Sequence, residues 1–324
     1  VVKRPDDEHY SSIVEKLAEG RMIPFLGAGA NLCDRGDESW EQGSPFLPSG
    51  AELANHLAAR GHYPDPGERN LFRVSQYVDA ARGEDDLYFF LREVFDSGYA
   101  PTSLHRLLAR LARVLAESGR PQFVAVTTNY DDLLETALAE EGLEFDVVWF
   151  EAKQNSPARG RFMHRAPGKK PKAISRPNKY AGLPLVLERP AILKVHGCLI
   201  RESAVDDSYV ITEDSYIEYL SLGDLGALIP IALWQRLTSS SLLFLGYSLN
   251  DWNLRVILNR IWGTRKLVGN SWAIQREPDD PMLSKIEQTL WDKRENVKLV
   301  YSELSEYTSE LEARLPARKP HVVA

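Results

Sequence analysis

The sequence predicts an α/β fold, a doubly wound and mainly parallel sheet with a helical module inserted after its first strand. Three observations carry this. Short apolar runs alternate with amphipathic helical stretches from Phe123 to Leu315, strong helical patterns crowd the segment between Ser49 and Ser118, and several apolar runs end in glycine-rich or small polar turns.

Tyr10 to Glu19 has helical spacing and closes at Gly20, the residue type that best accepts a left-handed helix end. Met22–Leu26 is an apolar strand run that stops at Gly27-Ala28-Gly29-Ala30-Asn31. Three helical patterns follow. Ser49 to Gly61 opens on a capping box of Ser49 with Glu52, Asp85 to Ser97 is the second, and Thr102 to Ser118 places Leu104, Leu107, Leu108, Leu111 and Leu115 along one face. They define an insertion over about 49–119, packed beside the sheet. Strand 123–127, helix 131–141, strands 145–150 and 191–196, helices around 213–222 and 224–238, strand 242–246, helix 251–262, strand 271–275, helix 281–293, strand 297–300 and helix 304–315 complete a Rossmann-like order. No Gly-, Ser- or Pro-rich linker divides the chain, so residues 1–324 read as one domain.

One stretch breaks the alternation. Ala152 to Gly182 holds nine Lys or Arg residues, His164, four prolines and no acidic residue, and reads as an inserted basic loop of about 152–182. It is either a solvated loop or a contact for phosphate, nucleic acid or an acidic partner. Phe162 and Tyr180 are its only aromatic residues, too few to signal base stacking.

A net charge of -7 over 324 residues opposes nonspecific binding to nucleic acid, so any such contact falls to the basic loop. The two cysteines, Cys33 and Cys198, can build neither a disulfide framework nor a thiolate zinc site. With no signal-peptide core in VVKRPDDEHY and no uncharged apolar run of membrane-spanning length, the expected compartment is the cytoplasm, away from membranes. The first residue is Val1 rather than Met, which leaves open a fragment of a longer protein.

In an open parallel sheet, ligands sit beyond the carboxyl ends of the strands, so the residues following each strand are the candidates. Gly27, Ala28, Gly29 and Asn31 follow the first strand, where glycines permit close backbone approach and amides can face a pyrophosphate; an ordinary tight turn has the same composition. Thr127, Thr128, Asn129 and Asp131 follow the second, in a cluster larger than a single helix cap requires. His196 follows strand 191–196 and supplies an imidazole able to act as a base near neutral pH, or to sit satisfied by a backbone carbonyl. Gly246, Ser248 and Asn250 follow strand 242–246, in a glycine turn suited to a ribose or phosphate and also to capping the next helix. Four polar turns at one sheet edge are what a dinucleotide cleft requires.

In order along the chain, GAGAN, TTNYD, VHG and GYSL resemble the glycine loop, the T-Q-N-[IV]-D motif, the His-Gly pair and the G-[TS]-S-L turn of the sirtuin family, specifically its divergent zinc-free branch found in bacterial antiphage NADases. The departures are Thr128 in place of Gln, Pro45-Phe46-Leu47-Pro48 near the position of the I-P-D-F-R run, a long insert between Asn129 and His196, and no four-cysteine zinc ribbon. The resemblance implies NAD as substrate with no metal. It assigns Asn129 to the nicotinamide ribose hydroxyl or attacking water, Asp131 to the neighbourhood of the carboxamide, and His196 to the base. Gly27, Ala28, Gly29, Asn31, Thr127, Thr128, Gly246, Ser248 and Asn250 would line the dinucleotide.

What the resemblance implies is an NAD glycohydrolase that yields nicotinamide and ADP-ribose, acting in abortive infection as a homo-oligomer. Its activating partner would be a HerA-type ATPase, an Argonaute-like protein or a STAND-type sensor. The alternatives are a zinc-free NAD-dependent protein deacylase, which the missing cysteines oppose, and a noncatalytic scaffold sensing NAD or ADP-ribose, which would need no base at His196.

Overall fold

The computed structural model describes residues 5–65, 67–120, 122–222, 225–247, 256, 258, 270–277, 282, 286, 289–291 and 296–316. Most of the expected helices 251–262 and 281–293, and the candidate residues Ser248 and Asn250, lie outside the described residues.

The expected doubly wound sheet is present. Its strands are β1 (Met22–Leu26), β2 (Val124–Thr127), β3 (Asp146–Phe150), β4 (Phe162–Arg165), β5 (Lys172–Ala173), β6 (Ala191–Lys194), β9 (Ser241–Leu245), β10 (Ser271–Gln275) and β11 (Val297–Tyr301), in the spatial order β11-β10-β9-β1-β2-β6-β3-β4-β5. The strands from β11 to β3 pair in parallel, while β4 and β5 close one edge antiparallel. A small separate ribbon joins β7 (Gly197–Cys198) to β8 (Ser208–Tyr209).

Because β1 lies between β2 and β9, strand order reverses there, and the carboxyl ends of β9, β1, β2 and β6 stand side by side: Leu26 pairs with both Leu245 and Thr127, and Thr127 with Lys194. The four polar turns of the sequence therefore follow four adjacent strands.

Side chains alternate across the sheet and both faces are covered. Ile23, Phe25, Val124, Val126, Leu242 and Phe244 share one core with residues of α7 (Glu213–Ser221) and α8 (Ile231–Ser239). Met22, Leu26, Ala125, Leu243 and Leu245 share another with α1 (Asp7–Ala18), α5 (Ser103–Ser118), α6 (Leu133–Glu140) and α9 (Leu304–Arg314). A third core belongs to α2 (Gly50–Gly61), α3 (Leu71–Arg82) and α4 (Glu84–Phe95), and it reaches Leu133, Leu199, Tyr209 and Ile211 just past the carboxyl ends of the strands. The stretch 49–119 thus contributes to two packing groups, α2 to α4 above the strand ends and α5 against the sheet. No described helix is long and apolar enough to cross a membrane.

Sequence reasoning passed over α3. Its helix signal is thin, since Val74, Ser75 and Val78 are its buried residues, although Asn70 caps it by accepting from the Arg73 amide at 3.2 Å. The basic stretch is also more ordered than a loop. Phe162 and His164 are buried and alternate with half-buried Met163 and Arg165, and β4 pairs antiparallel with β3 on one side and with the short edge strand β5 on the other.

Gly197 sits at φ +100°, and a Cβ there would lie 2.0 Å from the Ser208 carbonyl oxygen, because β7 and β8 meet at Gly197 and Tyr209. Gly197→Ala is expected to lower stability by about 2 kcal/mol or more in urea denaturation, from a strained backbone plus a clash with main chain. Gly36→Ala, with nothing within 4 Å of the added carbon, is the control.

Candidate functional site

A cleft of about 820 Å3 opens beyond the carboxyl ends of β1, β2 and β6, within the size range of small-molecule sites. Ala28, Asn31, Thr128, Asn129, Asp131, His196 and Tyr247 line its floor. Its other walls come from α2, α3 and α7, with Leu53, Phe72, Tyr216, Ile217 and Leu220 supplying apolar surface and Arg69, Asn70 and Glu213 polar groups. The structure brings together candidates from the first three motifs, separated by up to 168 positions between Ala28 and His196.

The glycines of the first and fourth turns meet each other. A Cβ on Gly29 would stand 2.8 Å from the Gly246 carbonyl oxygen, and one on Gly246 (φ +72°) would stand 2.1 Å from the Ala30 nitrogen. The close approach that requires glycine is therefore turn against turn. The amides follow: Gly27 donates to the Leu245 carbonyl at 3.0 Å, Gly29 to Gly246 at 2.8 Å, and Ala30 to Gly27 at 2.9 Å. Those amides are engaged within the fold, contrary to the expectation that the loop holds them out toward a pyrophosphate.

Thr127 likewise builds the frame. Its buried hydroxyl donates to the Leu26 carbonyl at 3.1 Å and accepts from the Asn129 amide at 2.9 Å, tying the second turn to the first strand. Neither Thr127 nor Gly27, Gly29 or Gly246 is among the residues lining the cleft. The Thr128 hydroxyl, which does line it, lies 2.8 Å from the Tyr247 hydroxyl.

Asn129, Asn31 and Asp131 form one buried network. The Asn129 side-chain amide donates to the Gly27 carbonyl at 3.0 Å and reaches the Asn31 side-chain oxygen at 3.4 Å, while Asn31 donates to Asp131 Oδ2 at 2.7 Å. Asp131 Oδ1 accepts from the Leu133 amide at 3.1 Å, so this carboxylate satisfies the first amide of α6 from the residue before its N-cap, Asp132, and lines the cleft as well.

Beneath this network lies a pair that sequence reasoning missed. Lys194, at the end of β6 and 0% exposed, donates to Glu135 Oε1 at 2.8 Å and to the main-chain oxygen of Asp131. The signal was present in AILKVHG, where a lysine interrupts an apolar strand. What such a lysine pairs with is a tertiary fact.

His196 is 7% exposed and stands edge-on to Tyr216 and Tyr219, at centroid distances of 5.8 and 5.4 Å. Its Nε2 is buried with no hydrogen-bond partner among the described residues. The reading of a histidine satisfied by a carbonyl thus finds no support at this nitrogen. Burial lowers the His196 pKa from the ordinary 6.5 to about 3, so the ring is neutral around pH 7 and its Nε2 is an unengaged nitrogen, while the same burial weakens it as a base until a charged or polar partner enters the cleft.

Among the described residues no three His, Cys, Asp or Glu side chains group as a metal site, and both cysteines are buried with free thiols.

The SIR2-like domain matches residues 124–300, more than half of the chain. The chain belongs to the SIR2-like family. The chain is also similar to the NAD(+) hydrolase ThsA of Acinetobacter baumannii, 28% identical over 77% of this chain and 41% of that protein. A second protein of that name, from Enterococcus faecium, is 27% identical over 81% of this chain and 45% of its own length. The defense-associated sirtuin 2 of Bacillus subtilis is 23% identical over 82% of this chain and 21% of its own length. This SIR2-like chain therefore spans less than half of each of these relatives. The family match begins at β2, so the glycine turn after β1 and helices α1 to α5 lie outside it.

Two measurements test the site's physics. Lys194→Met leaves a buried carboxylate unpaired and should cost about 3–5 kcal/mol of stability in urea denaturation, much of it recovered when Glu135→Leu is added. The pH dependence of stability has a definite sign. With His196 at about 3 folded and 6.5 unfolded, the unfolded chain binds more protons between those values, so stability falls as pH drops from 6.5 toward 3. Burial also lowers His105, to about 4, and it contributes in the same window. His196→Gln should flatten the acid decline relative to wild type, and an unchanged slope would remove His196 from it.

Proposed function

We propose that this chain cleaves the nicotinamide–ribose bond of NAD with water, releasing nicotinamide and ADP-ribose, as the effector of a bacterial antiphage system. One observation carries the reading: Asn129 and His196, from the turns after adjacent parallel strands, line a single cleft deep enough to bury an imidazole without a partner. The names of the relatives, NAD(+) hydrolase and defense-associated sirtuin, support it.

The chemistry asks little acid from the protein. The bond between the anomeric carbon and the pyridinium nitrogen breaks with its electron pair going to the ring, so nicotinamide leaves neutral. The ribose passes through an oxocarbenium-like state. The oxygen of water then bonds to the anomeric carbon, and its proton passes to His196 Nε2, which is unpartnered and neutral at the start. Asn129, held through its side-chain amide by Gly27 and Asn31, presents its carboxamide oxygen to the ribose hydroxyl or the water. Asp131, fixed by Asn31 and the α6 amide, places a carboxylate on the same wall, where negative potential favours the developing cation.

The same proposal includes the cytoplasm as the place of action, a homo-oligomer, and an activating partner of HerA-type, Argonaute-like or STAND-type character. The test is incubation of the purified chain with NAD, alone and with the products of neighbouring genes, following nicotinamide and ADP-ribose by chromatography. Equal release of both, reduced by roughly 100-fold or more in Asn129→Ala and in His196→Ala, is the expected result. Release that requires an acetylated peptide would replace hydrolysis with deacylation. Tight NAD binding without turnover under every condition would make the chain a sensor.

A further inference from the structure

We propose that the exposed cations Lys169, Lys170, Lys172, Arg176 and Lys179, on the β4–β5 edge of the sheet, form a docking surface for the phosphate backbone of double-stranded DNA. This surface is separate from the cleft, none of whose described lining residues comes from 152–182, and it does not depend on NAD being the substrate there.

Charge is unevenly distributed along the chain. Over 324 residues Asp and Glu outnumber Lys and Arg by 46 to 39, yet no carboxylate occurs between Glu151, which is buried, and Glu188. Within that stretch the fold sorts the cations. Arg165 meets Glu202 at 2.8 Å, Arg159 is paired with Glu218, and Lys153 donates to the Val205 carbonyl at 3.3 Å. Lys169, Lys170, Lys172, Arg176 and Lys179 are all exposed, and no ion pair or side-chain hydrogen bond among the described residues engages them. They leave a patch of positive potential on a chain of net charge -7, and a polyanion is the partner such a patch attracts.

Strand pairing sets where these cations stand. Phe162 faces Phe150 at the carboxyl end of β3 and Arg165 faces Val147 near its amino end, so the turn carrying Lys169 and Lys170 projects at the amino ends of the parallel strands, opposite the cleft. Lys172 lies on β5, the outermost strand, and pairs with His164. The segment is anchored from below: His164 meets the Asp146 carboxylate through Nε2 and the Tyr180 hydroxyl through Nδ1, each at 2.9 Å, while Ile174 and Leu183 are buried in the sheet's core. A surface already ordered in this way loses little freedom on binding. The same anchoring selects the kind of nucleic acid. Phe162 is 1% exposed and the Tyr180 ring packs against the core with its hydroxyl on His164, which leaves this edge no aromatic platform for unpaired bases. Four lysines and one arginine act as point charges suited to phosphate, whereas the carboxylates nearby, Asp146, Glu202 and Glu218, are met by the arginines Arg189, Arg165 and Arg159. Duplex phosphates therefore fit this edge better than an acidic protein does.

The experiment titrates the full chain into a fluorescent DNA duplex of about 20 base pairs, into one of its single strands and into polyglutamate, over a series of salt concentrations. A triple variant, Lys169→Gln with Lys170→Gln and Lys172→Gln, is compared with wild type and with a control of equal net charge. The control, Arg21→Gln with Arg82→Gln and Arg106→Gln, removes exposed arginines that already face Glu19, Asp86 and Glu140. Urea midpoints check folding, which exposed substitutions of this kind change little. Wild type should bind the duplex with a dissociation constant of roughly 1–100 μM at low salt and weaken steeply as salt rises. The triple variant should lose about tenfold or more in affinity and flatten the slope of log K against log salt by about 2–3, since each phosphate contact contributes about 0.9. The control should bind as wild type does. No duplex binding by wild type, an equal loss in the control, or tighter binding of the single strand would each overturn the proposal. Binding of polyglutamate in place of the duplex would assign the surface to an acidic protein and overturn it as well.

Discussion

Asp131 ties three separate parts of this molecule together at the floor of the cleft. One carboxylate oxygen accepts from Asn31 on the turn after β1, the other accepts from the first amide of α6, and the main-chain oxygen accepts from Lys194 at the end of β6. At 5% exposure these are contacts in a low-dielectric setting, where a satisfied network is rigid and an unsatisfied one is costly. Three parallel strands are thereby held in register at their carboxyl ends, and Asn129 is carried in the middle of the knot. The orientation of the floor of the cleft follows from that arrangement.

The roof of the cleft is made separately. Helices α2 to α4 have their own apolar core, joined to the strand ends through Leu133, Leu199, Tyr209 and Ile211, so they can present a surface over the floor without being threaded through the sheet. Tyr130 reinforces this joint: its hydroxyl donates to the Val210 carbonyl at 2.7 Å and its ring packs edge-on against Phe95 and Tyr209. A chemically fixed floor and an independently packed roof divide the work of a binding site. The floor holds the groups suited to bond cleavage, while the roof carries apolar surface and the charge of Arg69.

Much of this was legible before any coordinates. The alternation of apolar runs with helices gave the sheet, and the polar turns after the strands pointed to the cleft edge. Asn129 and Asp131 stood out because the polar cluster after the second strand is larger than a helix cap needs, His196 because it puts an imidazole at the carboxyl end of an apolar strand, and all three because TTNYD and VHG resemble sirtuin motifs. The glycines were also found, but for a partial reason. Their use in a turn is local, whereas the partner that demands the missing Cβ, Gly246 facing Gly29 and Ala30, lies more than 200 positions away. The helix α3 escaped because a helix with few buried positions leaves a weak periodic trace. The strand β4 escaped because its charged and proline-rich surroundings mask a short alternation.

What the sequence by itself determined is the class of fold and the chemical types at the strand ends, since periodicity and turn chemistry are properties of neighbouring residues. The tertiary structure alone decided which turns touch, that Lys194 is satisfied by Glu135 and Asp131, and that the His196 imidazole is buried with an open Nε2. It also decided that Arg69 shares a cleft with residues far from it along the chain. The physical reason is that burial, hydrogen-bond satisfaction and the dielectric around a charge depend on groups brought together across the fold, and no local pattern specifies which groups those are.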